Sequence, residues 1–345
     1  MSLMAVSCPL CKESNLFFDV SVPNSDAHIH KYGSLYAGKT KSQWKICGQC
    51  GFLHQNPRPS IEELNEFYKR SEYHINTANT AENNGDKHLK FSRWYFSEKI
   101  EFALKYSSLT QGKVFDIGCG RGGVLKLFEE YGWKAFGVEP DECLASFAAN
   151  IMGLSGVHQG ILDNDFKLEE KVDLVFSNHA FEHFADLDDV MGGVLNILKS
   201  EGYLFIAIPT YFNNKSSLSK AWMNSSHYSL FTHNSLNNML SRYGFEEVIH
   251  TYEGWKKEVD DLWYLAKYTG KKGDPIMYFE NPQAVSQYLR FINPLRSLVF
   301  FPVYSNWAMR VRVWNLFCSA VNTFFSSPKI FFQKLYRFIK RKLYA

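Results

Sequence analysis

No stretch of this chain reaches the ~18 apolar residues that a membrane-spanning helix needs. The longest uncharged runs, residues 297–309 and 313–328, are interrupted by Pro, Asn and Ser. Residues 1–12 lack the charged start and apolar middle of a secretory leader. Cysteine is present, but seven copies are an odd number in a chain with no export signal, which argues against a disulfide framework. Acidic residues are missing from one region. Residues 281–345 hold ten Lys or Arg and no Asp or Glu, so the net +3 of the chain divides into +10 there and −7 before it. The expectation is a cytoplasmic protein with a basic end suited to an anionic partner.

The 46% hydrophobic and 21% charged shares are those of an ordinary globular chain, and 345 residues suffice for roughly two domains. Residues 60–70 read as a short helix with Ser60 as its cap and Leu64, Phe67 and Tyr68 on its apolar side. Residues 71–85 are polar and read as a linker or lid; residues 87–106 read as a long amphipathic helix. Strands predicted over 114–117, 135–138, 172–177 and 203–208 then alternate with helices over 124–131, 143–152 and 187–198. That order implies a parallel sheet with helices on both faces. A helix over 235–243, closed by Gly244, precedes two strands over 246–252 and 261–268. With a turn at Gly254 and no helix between them, these form an antiparallel hairpin at the sheet edge.

Four cysteines form two Cys-x-x-Cys pairs, Cys8-Pro-Leu-Cys11 and Cys47-Gly-Gln-Cys50-Gly51, with 35 residues between them. Each pair is a knuckle that aims two thiolates at one ion, and four thiolates match tetrahedral zinc. A redox pair would need one motif at a helix start in a βαβ unit, a context neither has. The expectation is one structural Zn2+ on Cys8, Cys11, Cys47 and Cys50, with His28, His30 and His54 spare. Cys119, Cys143 and Cys318 read as buried thiols.

Val114-Phe-Asp-Ile-Gly-Cys-Gly-Arg-Gly-Gly-Val124 is a strand running into a glycine turn and then a helix. Gly118, Gly120 and Gly123 satisfy the G-x-G-x-x-G spacing, so a dinucleotide dehydrogenase is one reading. Asp116 favours another. Inside the strand, two residues before the first glycine, its carboxylate would repel a pyrophosphate and attract the α-ammonium of S-adenosylmethionine. The helix-free hairpin and the polar, histidine-rich Ser177-Asn-His-Ala-Phe-Glu-His-Phe184 point the same way. Glu139, in Gly137-Val-Glu139-Pro-Asp141, lies 19 positions after Gly120. An acidic residue at that strand end accepts ribose hydroxyls for either cofactor.

Through the D-x-G-x-G loop at Asp116, Gly118 and Gly120, and through Glu182-His183 after the fourth strand, residues 112–268 resemble the class I S-adenosylmethionine-dependent methyltransferases. The resemblance implies a doubly wound α/β fold: a mostly parallel seven-stranded sheet with an antiparallel edge hairpin. It implies S-adenosylmethionine bound by Asp116, Gly118, Gly120 and Glu139. The end of the third strand, Gly160-Ile-Leu-Asp163, would cover the adenine, with Leu162 packing on the ring and Asp163 taking the exocyclic amine. Residues 1–70, with Cys-x-x-Cys-Gly, Asn56-Pro-Arg-Pro59 and a Tyr68-bearing helix, resemble one subgroup. That subgroup is the zinc-ribbon enzymes related to deoxysugar C-methyltransferases and associated with surface polysaccharide synthesis. The far end departs from those enzymes: their second α/β domain gives way to an aromatic, basic tail. The expected organisation is a zinc-binding module over 1–58, a helical linker over 59–110, the methyltransferase domain over 111–270 and a helical extension over 271–345.

Methyl transfer is an in-line displacement at a sulfonium carbon, and a hydroxyl or carbon-acid acceptor must also lose a proton. The base belongs near the carboxyl ends of the strands. His179 and His227 are the candidates, with residues 213–226 shaping the acceptor pocket and Glu182 and His183 read as structural. No Asn-Pro-Pro-Tyr or Asp-Pro-Pro-Tyr follows the fourth strand, which disfavours a nucleobase amino group. The implied partner is a small molecule of sugar type. A zinc-ribbon RNA methyltransferase and an inactive methyltransferase-fold binding protein are the alternatives. The RNA reading is weakened because residues 1–70 lack a Lys/Arg stripe with interleaved aromatics.

In the tail, Ser327 and Pro328 start a helix with Phe331, Phe332, Leu335, Phe338, Ile339 and Leu343 on one side. Lys329, Lys334, Arg337, Lys340 and Arg341 fall on the other, and Lys342 is the one charge that intrudes on the apolar side. Such a helix suits an anionic bilayer surface, so residues 327–345 carry the expectation of peripheral contact with the inner membrane face. Packing on the protein itself is the other reading.

Overall fold

A computed structural model describes residues 3–23, 35–36, 41–69, 84–210, 223–253, 261–273, 282 and 285. The expected turn at Gly254, residues 71–83 of the linker or lid expected over 71–85, residues 213–222 of the expected acceptor-pocket loop, His28, His30, Cys318 and the tail helix lie outside the described residues. The chain divides into two units, Met1–Pro282 and Gln283–Ala345.

The first unit opens with three antiparallel strands, β1 (Leu16–Pro23), β2 (Lys41–Cys47) and β3 (Leu53–Gln55). Helix α1 (Ile61–Lys69) starts on a reciprocal cap. Glu63 N donates to Ser60 Oγ at 3.2 Å, and Ser60 N donates to the Glu63 carboxylate at 3.1 Å. Its Leu64 and Phe67 are buried, as the periodicity predicts. Helix α2 (Gly85–Ser107) follows the Asn84 cap. It then alternates with the sheet: β4 (Lys113–Ile117), α3 (Gly123–Glu130), β5 (Lys134–Glu139), α4 (Glu142–Asn150), β6 (Val157–Gln159), β7 (Val172–Asn178), a 3-10 turn at Phe181–His183, α5 (Leu187–Ile197) and β8 (Leu198–Pro209). After β9 (Ser229–Leu230) and α6 (His233–Arg242) come β10 (Phe245–Glu253) and β11 (Asp261–Tyr268).

The main sheet has seven strands in the order β10-β11-β8-β7-β4-β5-β6. β8 through β6 run parallel, and β11 enters antiparallel between β8 and β10. The doubly wound fold with an edge hairpin is therefore the one expected. Strand alternation divides the core into two faces. Phe115, Val175 and Ile206 pack with α5 and α6, while Val114, Leu174 and Phe205 pack with α2 and α3. No helix among the described residues is long and apolar enough to cross a membrane.

The N-terminal strands continue into the rest of the unit, because β3 pairs with β9 through Leu53–Leu230 and His54–Ser229. The four-stranded sheet β1-β2-β3-β9 is thus completed by a strand that follows β8 in the chain. Cys8, Leu10 and Phe52 also join the apolar cluster of Phe231, Leu236 and Met239. Helix α2 packs on the sheet through Ile100 and Ala103, both buried in the core. Cys143 is exposed rather than buried, because it lies on the outer side of α4 while Leu144, Ala145, Phe147 and Ala148 face inward. Cys119 is buried as expected.

Candidate active site

The turn after β4 is tied to β5 by its backbone. Gly118 N and Cys119 N both donate to the Val138 carbonyl at 3.0 Å, and Gly120 N donates to Glu139 Oε2 at 2.8 Å. Gly118 and Gly120 have φ of +69° and +54°, where a side chain is strained. A Cβ at Gly120 would meet nothing within 4 Å, so the backbone there borders open space. Glu139 Oε1 accepts from Asp141 N at 3.0 Å. Burial pushes the Glu139 carboxyl up to about 7, against the two N–H donors that favour its charged form. Asp116 is buried beside it, and desolvation together with the Glu139 charge raises its value well above the usual range.

The glycine turn and Glu139 border a cavity of about 670 Å³ at the carboxyl ends of the strands, a size that suits a nucleoside-sized ligand. Gly118, Gly120, Glu139 and Leu162 line it together with Tyr68, Phe91, His179 and His183. Asp116 and Asp163 do not line it. The Asp163 carboxylate instead accepts from Asp165 N at 3.1 Å, while Asp189 borders the cavity. The open cradle at Gly120, the pinned Glu139 carboxylate and the buried Leu162 are chemically suited to an adenosine.

Beside the glycine turn, where a Cβ on Gly118 would lie 3.3 Å from Ala180, is a largely buried polar network. His179, held at φ +52°, places Nε2 3.0 Å from Asp261 Oδ2 and Nδ1 3.4 Å from Glu182 Oε1. Lys99 reaches the same Asp261 oxygen at 3.4 Å and donates to Asn178 Oδ1 at 2.5 Å. Burial alone would depress His179, but Asp261 and then Glu182 outweigh it and raise its value to about 9. His179 is thus an imidazolium at neutral pH and has no lone pair with which to take a proton. The other expected base, His227, is buried and does not line the cavity; its ring centroid lies 4.9 Å from that of His183. His183 does line it. Its Nδ1 is 2.7 Å from the Ser226 carbonyl, which can only accept, so Nδ1 carries the proton and Nε2 is the basic nitrogen. Tyr68 Oη stands 3.4 Å from the same Nδ1.

Lys99, Asp261 and Tyr68 went unassigned in the reading of the sequence. One signal for Lys99 was there: it falls seven residues after Ser92 and four before Ala103, on the buried stripe of α2. Asp261 carries no local signal, because its partners lie 82 and 162 positions away.

The four expected cysteines converge. Sγ of Cys8 and Cys50 are 3.6 Å apart, Sγ of Cys11 and Cys47 are 3.4 Å apart, and all four lie within 4.8 Å of one another. Zinc–sulfur bonds of about 2.3 Å in a tetrahedron require sulfurs separated by roughly 3.8 Å, so the donor set fits Zn2+. The knuckles match one another. Lys12 N donates to the Cys8 carbonyl at 2.9 Å and Gly51 N to the Cys47 carbonyl at 3.0 Å, with φ of +62° at Lys12 and +73° at Gly51. His54 is buried under Phe52 and stands outside this group.

Residues 88–251 match a family model described as a methyltransferase domain. Over 161 residues the chain is 26% identical to the C-methyltransferase NovU of Streptomyces niveus, which covers 44% of this chain and 37% of that protein. Over 107 residues it is 31% identical to the malonyl-[acyl-carrier protein] O-methyltransferase of Acetivibrio thermocellus, covering 29% of this chain and 37% of that protein. The matched region thus spans little more than a third of each curated relative. A crystal structure of a SAM dependent methyltransferase from Aquifex aeolicus aligns with 54% of this chain and 98% of its own at a TM-score of 0.40 and 16% identity. Residues 88–251 thus match a methyltransferase-domain model, and they lie on a doubly wound α/β sheet whose strand order ends in an antiparallel edge hairpin.

Proposed function

We propose that this chain moves a methyl group from S-adenosylmethionine to an oxygen or carbon of a small polar acceptor, a sugar or sugar nucleotide. The observation that carries the reading is one cavity bordered both by the Gly118–Glu139 cradle and by His179 and His183. The cofactor, bound by Gly118, Gly120, Glu139 and Leu162, supplies an electrophilic methyl. Glu139 accepts the ribose hydroxyls, and Leu162 packs on the adenine. The His179 imidazolium, its two ring nitrogens turned to Asp261 and Glu182, lends positive charge beside the acceptor without donating to it. His183 Nε2 takes the acceptor's proton, its ring held by the Ser226 carbonyl. Oxygen and carbon acceptors agree with the names of the two curated relatives. Zn2+ on Cys8, Cys11, Cys47 and Cys50 is structural, since four thiolates close the shell. The basic tail over 327–345 brings the protein to an anionic membrane surface, where acceptors on lipid-linked glycans would be met.

The test is mass-spectrometric detection of methylated product from purified sugar nucleotides and S-adenosylmethionine. His183→Gln is expected to lose turnover while retaining S-adenosylhomocysteine binding. Product on RNA, with affinity falling steeply in salt, would replace this reading by the RNA alternative. Binding of NADH without binding of S-adenosylhomocysteine would overturn it.

A further inference from the structure

At the edge of the main sheet, His233, Glu247 and His250 bring three ligand atoms within 4.8 Å of one another, outside the cavity. Glu247 Oε2 is 2.7 Å from His233 Nε2, and Oε1 is 2.6 Å from His250 Nδ1. In a regular strand, residues three apart point to opposite faces. Glu247 and His250 share one because the β10–β11 register shifts between Glu247 and Ile249, so Val248 is an extra residue on β10. The packing agrees. Phe245 and Tyr252 contact the cluster on the α6 side, whereas Ile249 contacts the opposite one. His233, the first residue of α6, closes the group from above that same face. Tyr264, directly across the ladder from His250, forms a ring stack with it.

We propose that this bulge-built group is a second metal site, for a borderline divalent ion such as Zn2+ or Ni2+. Two imidazoles and one carboxylate are the donor set of such ions, whereas Mg2+ and Ca2+ require mostly oxygen. The imidazole centroids are only 3.8 Å apart, close enough for both rings to share one ion. With neutral rings the group has net charge −1, which attracts a divalent cation. Side-chain exposures of 24% to 32% leave a path from solvent. Three ligands leave coordination positions for water or a further donor. The ion would clamp the start of α6 to the edge strand. The Glu182–His183–His227 group, also spaced for a metal, already has the His179 cation against its carboxylate.

The experiment titrates Zn2+ into full-length protein whose cysteine cluster has first been saturated with zinc, read by calorimetry. Wild type is expected to take one equivalent more than His233→Ala/His250→Ala, and to show a Zn2+-dependent rise in Tm that the double variant lacks. Glu247→Gln, which keeps side-chain volume, should lose the same equivalent. Circular dichroism checks that the variants remain folded. Equal stoichiometry in wild type and variants, at one equivalent or at none, would overturn the proposal. Because none of the three residues borders the cavity, that result would leave the methyltransferase reading intact.

Discussion

His179 sits between two carboxylates, Asp261 and Glu182, and that position governs how the protein responds to alkali. Its folded value of about 9 lies above the ordinary 6.5, so its stabilising contribution is complete below pH 6.5 and fades as pH rises through 9. The expected loss across that window is roughly 1–3 kcal/mol. Urea unfolding at stepped pH should show it, and His179→Gln should flatten the profile. Glu139 sets a second pH dependence, in binding. As pH rises through about 7 its carboxyl ionises and becomes the better acceptor for ribose hydroxyls. S-adenosylhomocysteine should bind roughly tenfold more tightly at pH 8 than at pH 6. Calorimetry on Glu139→Gln should find weaker binding and no such trend. That Glu139 would meet the glycine turn and that the four cysteines would converge was readable, because a short motif names each. His179 could be named but not its charge state, which depends on Asp261 from a strand begun 82 residues later. Asp163 shows the converse: adjacency to the third strand suggested the adenine, while its carboxylate caps Asp165 N.

Elements with strong periodicity or a clear cap agree with the reading to within a few residues, α1 and β11 among them. What escaped were features specified by a partner. β9 is two residues long and is a strand only because β3 lies beside it. The bulge in β10 likewise follows from how β11 packs, and no residue of Glu246-Glu-Val-Ile249 announces it. The shared sheet changes what metal loss should do. Removing zinc from an isolated module would leave the methyltransferase domain intact, but here β3 and β9 are one ladder. Atomic emission should find one zinc on the cysteine cluster of wild type and none there in Cys47→Ser. That variant should also show a lower Tm and weaker S-adenosylhomocysteine binding. Zinc loss with an unchanged Tm would mean that the ladder holds without the metal.

At the scale of the whole molecule, the asymmetry of charge dominates: all ten cations of residues 281–345 lie in a segment with no acid. Each Lys or Arg near an anionic bilayer adds about 1 kcal/mol of attraction. Full-length protein should therefore co-sediment with anionic liposomes and not with neutral ones, and a chain ending at Ser326 should stay in the supernatant. Equal recovery of both proteins would rule docking out. The β3–β9 pairing also bears on how the chain is made. Cys8 through Gln55 leave the ribosome early, yet the strand that completes their sheet follows about 170 residues later. At synthesis rates of about 5–20 residues per second, the nascent module waits on the order of ten to thirty seconds with the outer edge of β3 bare. Zinc captured during that interval would hold the four cysteines away from oxidation and from neighbouring nascent chains. Ribosome-bound chains stalled before residue 229 should then be more open to protease near β3 than chains stalled beyond α6, and chelation should widen the difference.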